Sequence, residues 1–265
     1  MIKADLLIID PQKDFCDKDG SLFVPGADED SVRLTTMIER ISDKLNDIHI
    51  TLDTHHNLDI AHPLFWLDKD GKHPDPFTII TLPDLESGKF RTSIPQFAKR
   101  AEEYVQFLSD NKRYLLCIWP PHCLIGSWGA TVVDSVWDTV TAWENKHTAF
   151  VDYVTKGSNF WTEHYSAVLA DVPDPADPST QLNTKLIEVL QEVDIIGISG
   201  QARSHCVANT ITDIANNFGE ENIKKFVFLE DTTSDVPGFE TLGENFVKDM
   251  VSRGMQVSTS ADFLK

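Results

Sequence analysis

The chain has 265 residues, 41% of them hydrophobic, which is enough apolar side chain for one large α/β domain or two small ones. Its 42 acidic residues against 23 basic give a formal charge of −19, which argues against nucleic acid or an anionic membrane surface as a partner. Four cysteines, Cys16, Cys117, Cys123 and Cys206, show neither a CxxC pair nor a secreted spacing, so neither a disulfide framework nor a zinc ribbon is expected and a reducing, cytoplasmic compartment fits.

In chain order, "MIKADLLIID" runs from a short apolar stretch straight into charged chain, with no cleavable leader pattern. No stretch approaches about 20 apolar residues, so no membrane span is expected. Strand-like runs follow at 5–10, 48–53, 77–81, 114–120, 150–156, 194–200, 225–231 and 255–259. Helical periodicity lies between several of them, at 28–47, 184–193 and 206–218. This alternation predicts a doubly wound, mostly parallel α/β sheet of about six strands with helices on both faces. Residues 60–112 interrupt it with Pro63 and "DKDGKHPDP"; without linker composition on either side, they are expected to form an insertion or lid within a single domain spanning 1–265.

Ligands of open α/β sheets bind outside the carboxyl ends of the strands. There the chain places Asp10 after "LLII", Asp53 and His55 after "IHITL", His122 past "YLLCIWPP", Lys156 after "VDYVT" and Cys206 past "DIIGISG". Taken singly, each has an ordinary reading: a loop cap, a solvated lysine, a surface histidine, a small buried thiol. Together they supply acid, base, thiol and metal-type donors on one edge. Ser204 is read as an N-cap that sets Cys206 in a first helical turn, where free N–H groups favour a thiolate. Asp10 then serves as proton acceptor, Lys156 supports the thiolate, and N–H groups at Ala202 and Cys206 suit an oxyanion hole. Acyl transfer by a thiol is the reaction class. Asp53, His55 and His122 form one carboxylate and two imidazoles, a set suited to Zn²⁺ first, with Fe²⁺ or Mn²⁺ as alternatives.

These residues resemble the nicotinamidase / isochorismatase-like cysteine hydrolases over most of the chain. "LLIIDPQKDFC" with "GSLFVPGA" looks like the family's opening D-x-Q-x-D-F segment, "TLDTHH" its metal-binding segment, "WPPHCLIGSWGA" its W-P-x-H-C segment, "VTKG" its lysine segment and "GQARSHCVANT" its cysteine elbow. The resemblance implies an Asp10–Lys156–Cys206 triad, metal ligands Asp53, His55 and His122, and a cis peptide between Gln201 and Ala202. It further implies aromatic walls at Phe15 and Trp119, self-association into a homo-oligomer, and deamidation of nicotinamide through a cysteine thioester, a reaction of NAD salvage. Two features depart from the pattern: Ser204 replaces the usual aspartate of the elbow, and His205 stands where tyrosine is common. His205 and Trp66 are therefore added as expected substrate contacts. Alternatives are a cysteine hydrolase of another small amide or carbamoyl compound, or a catalytically silent ligand-binding protein of the same fold.

Overall fold

The computed structural model describes residues 2–111 and 114–265. Six strands form one parallel sheet: β1 (Ala4–Ile9), β2 (Leu45–Asp53), β7 (Asp152–Lys156), β8 (Ile195–Gly200), β9 (Phe226–Leu229) and β10 (Gln256–Ser258), in the order β10-β9-β8-β1-β2-β7. The chain first winds from β1 towards β7, then returns to the other side of β1 and winds towards β10. The topological switch therefore lies between β1 and β8, where such sheets open a crevice.

Alternation along β1 shows why both faces need cover. Leu7 and Ile9 enter one core cluster, Leu6 and Ile8 the other. Helices α2 (Ala27–Ile41) and α5 (Asp134–His147) pack on the second cluster through Leu34, Ile38, Val136 and Val140. Helices α6 (Thr184–Gln191), α7 (Ala208–Phe218) and α8 (Glu240–Ser252) close the first through Leu190, Ile214 and Met250. Among the described residues no helix is long and apolar enough to cross a membrane.

Two of the eight expected strand runs stand outside this sheet. β4 (Ile79–Ile80) pairs antiparallel with β6 (Leu116–Cys117), and β3 (Trp66–Asp68) with β5 (Phe90–Thr92). Leu116, Cys117, Ile118 and Trp119 are apolar because they are buried in the first cluster, not because they sit in a central strand. Residues 60–112 share that cluster: Phe65, Tyr104, Val105 and Leu108 pack into it, the last three from α4 (Ala98–Asn111).

Candidate active site

The register of the sheet aligns the functional positions. Asp53 pairs with Lys156 at the ends of β2 and β7, and Ile9 pairs with Gly200 at the ends of β1 and β8. Asp10, one residue past β1, has φ 47 and turns its carboxylate across the crevice. Thr51 Oγ1 donates to Asp10 Oδ1 at 2.5 Å. The Lys156 ammonium lies 3.1 Å from Asp10 Oδ2, 2.9 Å from Asp53 Oδ1 and 3.6 Å from Cys206 Sγ. All of these groups are buried.

Burial opposes charge on Lys156, but Asp10 and Asp53 outweigh it and hold the ammonium well above the usual lysine range. Burial pushes the Asp10 carboxyl up, with Lys156 opposing. The Cys206 thiol is likewise pushed well up by burial, against the pull of Lys156. Burial thus favours the neutral thiol beside Asp10, where the sequence had suggested a thiolate stabilised by a helix end.

The elbow also differs from that expectation in its local geometry. After a cis peptide between Gln201 and Ala202, Ala202 with φ −97 and ψ 147 caps a single π-helical turn, Arg203–Val207, that leads into α7. Ser204 is inside the turn and is no cap: its Oγ accepts from Val236 N–H at 3.1 Å and lies 2.9 Å from His205 Nδ1. Arg203 pairs with the carboxylate of Asp235, holding the following loop against the turn.

Asp53 joins this triad to the second cluster. Its Oδ2 is 3.0 Å from His55 Nε2 and 3.4 Å from His122 Nε2, and the three donor atoms lie within 4.8 Å of one another. The other ring nitrogens are engaged: His55 Nδ1 meets Asp59 Oδ2 at 3.1 Å, and His122 Nδ1 meets Pro120 O at 2.8 Å. With acceptors beside both Nδ1 atoms, both Nε2 atoms face the carboxylate, a donor set that suits a divalent ion. His62 packs against both rings, with a buried Nε2 that has no hydrogen-bond partner. His122 arrives by a different route from the one expected. It comes from a loop beyond β6, tied to the segment after β2 by a bridge between His55 and Leu124, and not from a neighbouring strand end.

A cavity over Cys206 is lined by Phe15, Trp119, His122, Ala202, His205 and Asp53, so every expected site position but Trp66 converges, with Asp10, Lys156 and His55 just beneath. Trp66 does not join them. Its indole is fully buried, donates to Ile60 O at 2.6 Å, and borders a separate cavity with Leu85 and Phe90. The ring is spent in the first core cluster.

Glu163 and Tyr165 were not anticipated. Both line the cavity; Tyr165 OH accepts from Trp119 Nε1 at 2.9 Å, and Glu163 Oε1 is 3.8 Å from His55 Nε2. Burial raises the Glu163 carboxyl to about 8, with His55 opposing. The strand-end rule that found Lys156 extends to them, because both lie in the loop that follows β7.

No family model matches the chain. A nicotinamidase of Saccharomyces cerevisiae is 27% identical over 217 residues, covering 79% of this chain and 80% of that protein. The fold is shared with the yeast nicotinamidase bound to the inhibitor nicotinaldehyde, with a TM-score of 0.67 and 21% identity over 97% of this chain and 99% of that one. It is shared too with an Acinetobacter baumanii nicotinamidase/pyrazinamidase, with a TM-score of 0.65 and 21% identity over 100% and 99% of the two chains. A pyrazinamidase of Pyrococcus horikoshii in complex with zinc gives a TM-score of 0.56 at 18% identity over 97% and 99%. A parallel sheet carrying a cysteine elbow at its switch point defines an isochorismatase-like hydrolase fold. The chain is thus similar over 79% of its length to a nicotinamidase, and its motif series resembles that of the nicotinamidase / isochorismatase-like cysteine hydrolases.

Proposed function

We propose that the chain is a metal-assisted cysteine amidohydrolase that converts nicotinamide and water to nicotinate and ammonia. The observation that carries this reading is the single ammonium of Lys156 set between Asp10, Asp53 and the Cys206 thiol. Asp10 accepts the thiol proton as Sγ attacks the carboxamide carbon. The N–H groups of Ala202 and Cys206 receive the tetrahedral oxygen, and Asp10 returns the proton to the departing ammonia. A water deprotonated by Asp10 then opens the thioester, releasing nicotinate and restoring the thiol. Phe15 and Trp119 would wall the ring.

Asp53, His55 and His122 would hold a divalent ion, Zn²⁺ by donor type with Fe²⁺ or Mn²⁺ as alternatives. When bound, it supplies a Lewis acid that orients the pyridine nitrogen. Residues 60–112 act in this reading as an insertion that sets one wall, since Ala61 O accepts from Trp119 N–H at 2.7 Å and the Phe77 ring meets the indole. Four unpaired cysteines support a reducing, cytoplasmic setting, and self-association belongs to the same proposal.

One observation favours a second reading, hydrolysis of another small amide or carbamoyl compound. Trp119, Tyr165 and His205 also line an adjoining cavity with Tyr114, Leu115 and Phe239, space that a bulkier amide would use. Ammonia release from nicotinamide by zinc-loaded protein, beside Cys206→Ala, tests the main reading: release is expected and should vanish in the variant. A folded, zinc-loaded wild type that releases none would remove nicotinamide as substrate, and ring-substituted amides would be assayed in its place.

A further inference from the structure

The carboxyl end of β1 does more than present Asp10. Gln12 is fully buried, and its amide is used at both ends. Oε1 accepts from Asp53 N–H at 2.7 Å, while Nε2 donates to Asp53 O at 2.7 Å and to Ala130 O at 3.0 Å. A side-chain amide thereby grips both backbone groups of the last residue of β2. Glutamate would lack the donors, and asparagine is one methylene short.

Asp14, two residues on, is also buried. Its Oδ2 accepts from Cys123 N–H at 2.6 Å and its Oδ1 from Ser21 N–H at 2.8 Å. Cys123 directly follows His122, has φ 46, and through its carbonyl accepts from His55 N–H at 3.0 Å. One residue is thus held by Asp14 on one side and holds His55 on the other. The carboxylate of Asp14 seats against Gly129, where an added Cβ would stand 2.1 Å from Oδ2, so the glycine of "SWGA" is what admits it. Neither Gln12 nor Asp14 lines the cavity above Cys206.

We propose that Gln12 and Asp14 are positioning residues for the divalent-ion site. Gln12 fixes Asp53, and Asp14 fixes His122 and His55 through the Cys123 backbone. The spacing Asp10-x-Gln12-x-Asp14 therefore serves the triad base and all three ion ligands from one short segment. This inference rests on the metal reading above. Its physical basis is preorganisation: short buried hydrogen bonds to the ligand backbones hold the donors together before an ion arrives.

The test is zinc affinity by competition with a chromophoric chelator, for wild type, Gln12→Met and Asp14→Asn, with melting of the ion-free proteins alongside. Loss of zinc affinity by about tenfold to a hundredfold in folded variants is expected, the range seen when outer-sphere partners of metal ligands are removed. A role in folding alone would lower the melting temperature and leave the affinity of the folded protein at the wild-type value, which would overturn the inference. Where a variant does not fold, amide exchange in the ion-free wild type decides. Protected Asp53 and Cys123 amides support the two pins, and amides that become protected only on zinc addition refute them. A wild type that binds no zinc would overturn the metal reading itself, an outcome distinct from intact binding in both variants.

Discussion

Lys156 sets one ammonium among Asp10, Asp53 and the Cys206 thiol in a buried space, and its removal separates two roles of the site. Lys156→Met leaves the carboxylates of Asp10 and Asp53 facing each other without their shared counter-charge. Breaking a buried ion pair from one side typically destabilises by about 3–5 kcal/mol, so a urea titration should show a loss of that order. Asp10→Asn keeps the shape of the side chain and removes the proton acceptor; turnover should fall by about 10²–10⁴ with zinc affinity unchanged. Alkylation of Cys206 by iodoacetamide should slow in the same variant. An Asp10→Asn protein with wild-type turnover would dismiss the carboxylate as base. The residues of both clusters were legible in the sequence because each lies at or near a strand end and carries chemistry that a core has little use for. Trp66 was misread because an indole in a sequence looks the same whether it walls a cavity or fills a core. Glu163 was overlooked because nothing in "FWTEHYS" distinguishes a buried carboxylate from a solvated one until the loop after β7 folds over His55.

The end of β7 illustrates how an element sets a ligand. Gly157 follows Lys156 with φ +87, and a Cβ there would stand 2.8 Å from Asp53 Oδ1 and 3.1 Å from Thr54 O. Gly157→Ala should therefore lose stability by about 1–3 kcal/mol from backbone strain and also weaken zinc binding by displacing the Asp53 carboxylate. Gly88→Ala is the control, since Gly88 has φ +72 and nothing within 4 Å of its Cβ position. It should show strain without any change in zinc affinity; equal affinities in the two variants would mean that the contact at Gly157 is relieved elsewhere. The parallel order of the sheet was readable because helical runs separate the strand runs, and parallel strands need such crossovers. The 114–120 run was not, since fully buried loop and central strand are both continuous apolar stretches. The π-turn at 203–207 escaped for a related reason: Ser204 is a favoured cap by type, and only the packing of Val236 N–H on its hydroxyl shows it to be spent inside the turn.

At the scale of the whole molecule, buried histidines are held in two opposed ways, and that predicts the shape of its stability against pH. Burial depresses His205 to about 4 and His164, with Lys156 adding to the effect, to about 3, so both are neutral when folded. For a histidine of depressed pKa the unfolded chain binds the extra proton, so its contribution is complete above about pH 6.5 and is lost as pH falls towards the folded value. His49 is the reverse case. Burial works against its charge, but Asp5 at 3.2 Å and Asp152 at 3.1 Å, on the strands to either side, raise it above the usual range. Its contribution is complete below about pH 6.5 and is lost as pH rises through the folded value. The expected profile peaks near neutrality. Each depressed histidine adds a limiting acid slope of about 1.4 kcal/mol per pH unit, and His49 adds an alkaline decline. Chemical denaturation from pH 4 to 9 would read both limbs. Replacing His205 with phenylalanine should flatten the acid limb alone, and His49→Gln the alkaline limb alone. Unchanged alkaline behaviour in His49→Gln would show that Asp5 and Asp152 hold a neutral ring, and the clamp across β1, β2 and β7 would then be a hydrogen-bond bridge with no ionic part.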